Sequence, residues 1–349
     1  MIRSLRESAG LFGTNRREGR LGRPNPMQEL EQRPHSALRT AAAWARPLAA
    51  AAMLTALVWR LGAGPFLDGL RAVDGLALAA GAAIGVVTTA CCAWRWTTVA
   101  SGLGLRLTFP TAFAACYRSV FLNLTLPGGI AGDVHRGLSH GRALGKVGLA
   151  FRAVAWERTA GQVVQAVLTV AVLFALPSPV QPPIPLVAGG CGLVLVAFVL
   201  ARLTGAGEAD SRWARARRAV AGDLRSALLA RNAWPTVVLA SAVVVLGNAV
   251  TFVIAARTAG SVAPLSQLFP LAFLAMLAMV LPSVAGWGPR EGATAWAFAA
   301  AGLGAETGVA TAVVFGVMAL AASLPGAVVL VAAWLPGAAI APTDGALDA

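Results

Sequence analysis

Long apolar runs separated by short polar stretches organise this chain. Runs of about 18 residues or more with few charges read as membrane-spanning helices. They predict spans at about 41–61, 75–94, 158–176, 184–201, 234–256 and 307–335. Two further apolar segments are interrupted. One covers 110–126 and stops at Pro127; the other is divided into 264–282 and 291–302 by SVAGWGPR. Strands of outer-membrane barrels alternate with period two, and this chain does not. The expected fold is all-α: a polytopic integral membrane protein with about six to eight transmembrane helices, including two re-entrant or broken ones.

Composition agrees. Of 349 residues, 57% are hydrophobic and 12% charged, and the mean hydropathy is +0.71. Soluble domains carry about 25% charged residues, so this chain has too few to cover a water-facing surface. The net charge of +13 would suggest nucleic acid in a soluble protein. Here the arginines gather before the first span and around 202–233, a positive-inside pattern. The expected organisation is a disordered Arg-rich cytoplasmic tail at 1–40, a membrane domain at 41–335 with a basic cytoplasmic loop at 202–233, and a short tail at 336–349. Cys91, Cys92, Cys116 and Cys191 lie in apolar runs without zinc spacing and read as packing residues. No cleavable signal peptide is evident, because the first apolar run starts about forty residues in.

Parity sharpens the topology. The N-terminal tail and loop 202–233 are expected inside, and the charge-free loop 177–183 outside. The polar segment 128–157 is then inside, and two spans from the N-terminus also place Arg95–Arg106 inside. The run 110–126 begins and ends on one side, as a re-entrant hairpin does. If loop 95–106 is outside, 110–126 is an ordinary span.

The two interrupted segments resemble each other. LPGGIAGDVHR at 126–136 and LPSVAGWGPRE at 281–291 each follow an apolar run with Leu-Pro, a glycine-rich turn and charges. Gly/Pro-interrupted segments in corresponding positions of two halves point to a transporter's midplane site and an inverted repeat. Proline breaks the helix, and glycine permits the turn and close approach of a ligand. A restarting helix offers free N–H groups to an anion. Arg136 and Arg290 add forked donors suited to phosphate, with Asp133 and Glu291 as their partners. Glu157 and Arg158 open the next span. Arg158, Gln162, Gln165 and Thr169 share one helical face, expected to line a cavity or the bundle interior. Ser241, Asn248 and Thr251 form a thinner stripe. Interhelical hydrogen bonding explains both stripes without a ligand. Arg152 reads as a snorkelling residue. His135 and His140 have no third ligand nearby and read as solvated loop histidines, so no metal is expected. No catalytic elbow, nucleotide fingerprint or metalloprotease motif occurs, and no cofactor is expected.

LPGGIAGDVHR, WERTAG, LPSVAGWGPREGA and SLPG at 323–326 together resemble the lysylphosphatidylglycerol synthase transmembrane family, which includes the flippase domain of the multiple peptide resistance factor. The resemblance covers roughly 40–335. It implies an inner-membrane domain that handles phospholipid, flipping aminoacylated phosphatidylglycerol by analogy. Bifunctional members carry a cytoplasmic aminoacyl-transferase domain. This chain ends soon after its last span, which leaves that chemistry to a separate synthase or transferase partner. The family positions fall on Pro127, Gly128, Gly129, Gly132, Asp133 and Arg136, on Glu157 and Arg158, and on Gly286, Gly288, Arg290 and Glu291; Pro282 is the second Leu-Pro break. Pro289 departs from the family's apolar residue. The leading expectation is a flippase-like protein for an anionic or aminoacylated phospholipid. The alternatives are a membrane enzyme acting on phospholipid headgroups or polyprenyl-linked sugars, with Glu157 or Asp133 as base, and a non-catalytic scaffold.

Overall fold

The structure, a computed structural model, describes residues 55, 58–126, 129–176, 218, 220–279 and 287–332. Most of the expected span 41–61, the loop 177–183, the span 184–201, both tails, and Pro127, Gly128, Pro282 and Gly286 lie outside them. The described helices are α1 (Gly64–Ala72), α2 (Gly75–Gly102), α3 (Phe109–Thr125), α4 (Ala131–Ala143) and α5 (Val147–Ala175). They continue with α6 (Trp234–Thr258), α7 (Leu265–Ala278), α8 (Pro289–Ala300) and α9 (Ala305–Ala332). Four of them, α2, α5, α6 and α9, are long and apolar enough to cross a membrane. The fold is that of an all-α polytopic membrane protein.

Side-chain contacts fix the direction of each long helix. Gly81 of α2 faces Met318 of α9, and Gly85 faces Ala322, so these two helices run the same way. Arg95 reaches Ser241 of α6, while Thr88 reaches Gly247; α6 therefore runs opposite to α2. Ala93, Trp96 and Ala100 at the end of α2 pack on Ala150, Ala153 and Val154 at the start of α5. The connecting segment 103–146 thus leaves and rejoins the bundle at one face. Phe252 late in α6 meets Phe315 in the first half of α9, with ring centroids 6.1 Å apart. Segment 259–304 accordingly starts and ends at the opposite face.

Each of those segments carries a pair of short helices. In the first, α3 and α4 double back on each other: Ser119 and Asn123 of α3 donate to Asp133 of α4 at 3.0 and 3.2 Å. The second pair, α7 and α8, also packs together. These helices have 17, 13, 14 and 12 residues. At 1.5 Å per residue they are about 18–26 Å long, short of the roughly 30 Å hydrocarbon core.

Two glycines set the closest crossings. A Cβ on Gly132 would stand 2.0 Å from the backbone oxygen of Ser119, and one on Gly326 would stand 2.2 Å from that of Tyr117. The first seats α4 on α3; the second seats α9 on α3.

Two boundaries differ from expectation. Helix α2 continues past 94 to Gly102, because no glycine, proline or asparagine interrupts 86–101. Arg95 is therefore a buried helical residue and not part of a loop. Helix α5 starts at Val147, not 158, so the polar segment 128–157 resolves into α4, a turn and the first third of α5. The charges in that third are paired, which keeps the helix intact. Arg152, expected to snorkel, also pairs within the protein: its Nε donates to Asp223 at 2.7 Å, and Trp156 donates to the same carboxylate at 3.1 Å.

Gly132→Ala and Gly326→Ala should each lower stability by about 1–3 kcal/mol or more through overpacking against backbone. Gly148→Ala, with open space around its Cβ, should be neutral or stabilising. Thermal unfolding in detergent compares the three; equal melting temperatures would contradict the close crossings.

Candidate functional site

Glu157 sits on the buried side of α5 and is 1% exposed. A lone carboxylate there would be very costly, and the sequence supplies arginines from two other helices. Arg95 of α2 donates from Nε to Oε1 at 2.8 Å, with its Nη2 on the same oxygen. Arg136 of α4 donates to Oε2 at 2.5 Å. Two of the spare donors are also placed, while Arg136 Nε has no hydrogen-bond partner among the described residues. Arg95 Nη1 bonds Ser241 at 2.8 Å, and Arg136 Nη1 points at the Cys116 sulfur at 3.4 Å. The Arg136 guanidinium lies over the Trp96 ring, 4.8 Å from its centroid. Gly161 leaves the room Arg95 needs, since a Cβ there would come within 2.9 Å of its Nη1.

Asp133 extends the network to the α3–α4 tip. It lies in the first turn of α4, where a carboxylate suits the helix dipole. It accepts from Ser119, Asn123 and Arg158, the last at 2.7 Å, and stands 3.1 Å from Arg136. Asn123 Oδ1 accepts from the Gly132 N–H at 2.8 Å, capping α4 from across the hairpin. Three guanidiniums face two carboxylates, so one positive charge remains in excess.

The second break is built differently. Gly288 adopts φ +117°, open to glycine. Glu291 reaches back to accept from its N–H at 2.6 Å, a helix-start cap. The same side chain accepts from Arg290 at 2.5 Å. Arg290 is held between the Trp287 and Phe315 rings, at 5.5 and 5.3 Å from their centroids. Gly316 makes the space, as a Cβ there would stand 2.6 Å from Arg290 Nη2.

Both breaks border one cavity of about 340 Å³. Gly129 and Asn123 come from the first hairpin, and Pro289 and Arg290 from the second. Arg158, Gln162 and Gln165 contribute from α5, and Asn248 from α6. Along α9 the lining runs from Phe315 to Ser323, so the two hairpins address the cavity within about two helical turns of each other. Among the described lining residues the charged ones are Arg158 and Arg290, both cationic; none is acidic. Among the described residues Arg158 Nε has no hydrogen-bond partner, although it stands 4.0 Å from Glu157. Such a hollow electrostatically favours an anion.

The expected residues divide into two groups. Arg158, Arg290, Gln162, Gln165, Asn248 and Gly129 line the cavity. Asp133, Arg136, Glu157, Glu291, Gly132 and Gly288 lie behind it and hold it. Part of the polar stripe also makes interhelical bonds, as Gln165 donates to the Met276 carbonyl at 3.0 Å. His135 and His140 are on α4 and half-buried, not loop residues in solvent. Among the described residues no cluster of three metal-ligating side chains occurs. Sequence reading missed Arg95, Asn123 and the α2 face with Thr88 and Thr89. The usable signal was the unbroken helical stretch around Arg95, which keeps it inside a span.

Glu157→Gln should destabilise the protein by about 3–5 kcal/mol, because it strips the counter-charge from two buried guanidiniums. Pairing it with Arg95→Met should cost less than the sum of the single changes, by roughly 0.5–3 kcal/mol. Denaturation of the four proteins in detergent measures this; strict additivity would contradict the bridge.

Comparison with curated proteins finds no match. A family model described as Lysylphosphatidylglycerol synthase TM region matches residues 43–326. That range takes in both hairpins, the arginine–carboxylate network and the whole described cavity lining. The chain therefore belongs to the lysylphosphatidylglycerol synthase TM region family.

Proposed function

We propose that this protein is a flippase-like carrier for an anionic or aminoacylated phospholipid, whose headgroup occupies the cavity between the two hairpins. The observation that carries this reading is the lining itself: Arg158 and Arg290 reach one hollow from different halves, with no acidic residue among the described lining. The cavity volume, about 340 Å³, lies at the low end of the usual ligand range. It suits a headgroup and leaves acyl chains outside. The protein sits in the inner membrane with its N-terminus and basic central loop cytoplasmic. The α3–α4 hairpin then enters from the cytoplasm and the α7–α8 hairpin from the other side. Backbone breaks at membrane depth are tolerated where they border such a cavity, and two facing breaks match the midplane sites of transporters. A separate synthase or transferase supplies aminoacylated lipid.

The enzyme alternative draws less support. Glu157 and Asp133, its candidate bases, are each held by several donors and do not border the described cavity.

Arg158→Ala is the cleanest test. Asp133 keeps Ser119, Asn123 and Arg136 when Arg158 is lost, so the fold should survive. In liposomes with fluorescent phosphatidylglycerol and an impermeant quencher, wild type should equalise the leaflets, and Arg158→Ala should slow this by about tenfold or more. Wild type that moves no lipid beside an active control, or a variant as fast as wild type, would overturn the reading.

A further inference from the structure

Arg118 lies outside the network and the cavity. It is near the middle of α3, half-buried. Among the described residues its buried Nε has no hydrogen-bond partner, and no carboxylate pairs with it. His135 of α4 stands two residues beyond Asp133, which accepts from Ser119 next to Arg118, so the two side chains belong to the same crossing of α3 and α4; among the described residues the buried Nδ1 of that ring is also without a partner. The buried arginines differ in having a carboxylate: Arg95 and Arg136 share Glu157, and Arg290 has Glu291.

Arg118 does not serve the cavity. Val120, Asn123 and Leu124 line it from α3, and at 100° per residue Arg118 falls on the opposite face of that helix. On α4, His135 and Arg142 are seven residues apart and share a face. Arg142 is exposed in the last turn, near the exposed Lys146. Basic groups thus mark a line from the end of the hairpin toward Arg118.

An uncompensated guanidinium in a membrane-embedded hairpin is costly and marks a functional site by default. Its forked donors match phosphate, and an imidazole N–H adds a donor alongside. The phosphate nearest to such a hairpin belongs to lipid. An ammonium-bearing headgroup would set a cation beside Arg118 with no carboxylate to receive it, so the fit is to a headgroup with net negative charge.

We propose that Arg118 and His135 form a second anion site, on the outer face of the α3–α4 hairpin, that takes the phosphate of an anionic phospholipid from the leaflet this hairpin enters. The site concerns binding and does not depend on transport through the cavity. It holds lipid against the same hairpin whose other face borders that cavity.

The test uses the purified full chain in detergent, in an Arg158→Ala background that weakens the cavity site. Binding is followed by thermal shift and native mass spectrometry with short-chain phosphatidylglycerol, short-chain phosphatidylcholine and inorganic phosphate in separate arms. Phosphatidylglycerol should bind and stabilise; phosphatidylcholine and inorganic phosphate should not. Adding Arg118→Leu should weaken phosphatidylglycerol binding about tenfold, with a smaller loss for His135→Ala. Without lipid, Arg118→Leu should melt no lower than its background, since it removes an uncompensated charge. Unchanged phosphatidylglycerol binding, equal binding of phosphatidylcholine, or an equal response to inorganic phosphate would each overturn the lipid site. A variant that melts lower without lipid would assign Arg118 a structural role and overturn it too.

Discussion

One carboxylate governs the arrangement. Glu157 cannot stay ionised on the buried side of α5 unless cations reach it, and they come from α2 and from α4. That single requirement ties a long helix of the bundle and the restarting half of a hairpin to the same point. Buried ion pairs add little net stability, yet breaking one is expensive. Their value here is positional, because α4 has 13 residues and no long apolar face to anchor it. Asp133 carries the same constraint to the hairpin tip, where it holds Arg158 at the edge of the cavity.

The second hairpin reaches the cavity by a more local device. Glu291 caps its own helix and pairs with the residue before it. Aromatic rings and Gly316 then set where Arg290 points. The halves are thus alike in plan and unlike in detail: each presents an arginine beside a glycine-bordered break, one through a three-helix network and one through a short turn. Both rely on α9, whose small residues let the hairpins and α2 approach closely.

Much of this was legible in the chain. The apolar runs at 75–94, 158–176, 234–256 and 307–335 fall on the four described span helices, and the two interruptions fall between the end of one short helix and the start of the next. The shared order of Leu-Pro, glycine-rich turn and charges paired the two breaks, and Arg158 and Arg290 both border the cavity. Two things were not legible. Arg95 sits between two tryptophans at the apparent end of an apolar run, and a local reading places it at an interface; only the distant Glu157 makes it a core residue. The start of α5 was hidden because Arg152, Glu157 and Arg158 look like loop charges until Asp223, Arg95, Arg136 and Asp133 are placed beside them. Pairing across helices is a tertiary fact, and no local pattern encodes it. Parity counting from two loop arginines was fragile. Helix directions read from contacts replace it, and they lead to the same pair of hairpins.

The central claim is that the α3–α4 and α7–α8 hairpins come from opposite faces of the membrane. Single cysteines at Gly145, in the turn after α4, and at Gly260, in the turn before α7, test it in a cysteine-free background. The protein is labelled in vesicles of known orientation with a membrane-impermeant thiol reagent. Position 145 should react from the cytoplasmic side and position 260 from the other. Labelling of both from the same side would contradict the arrangement.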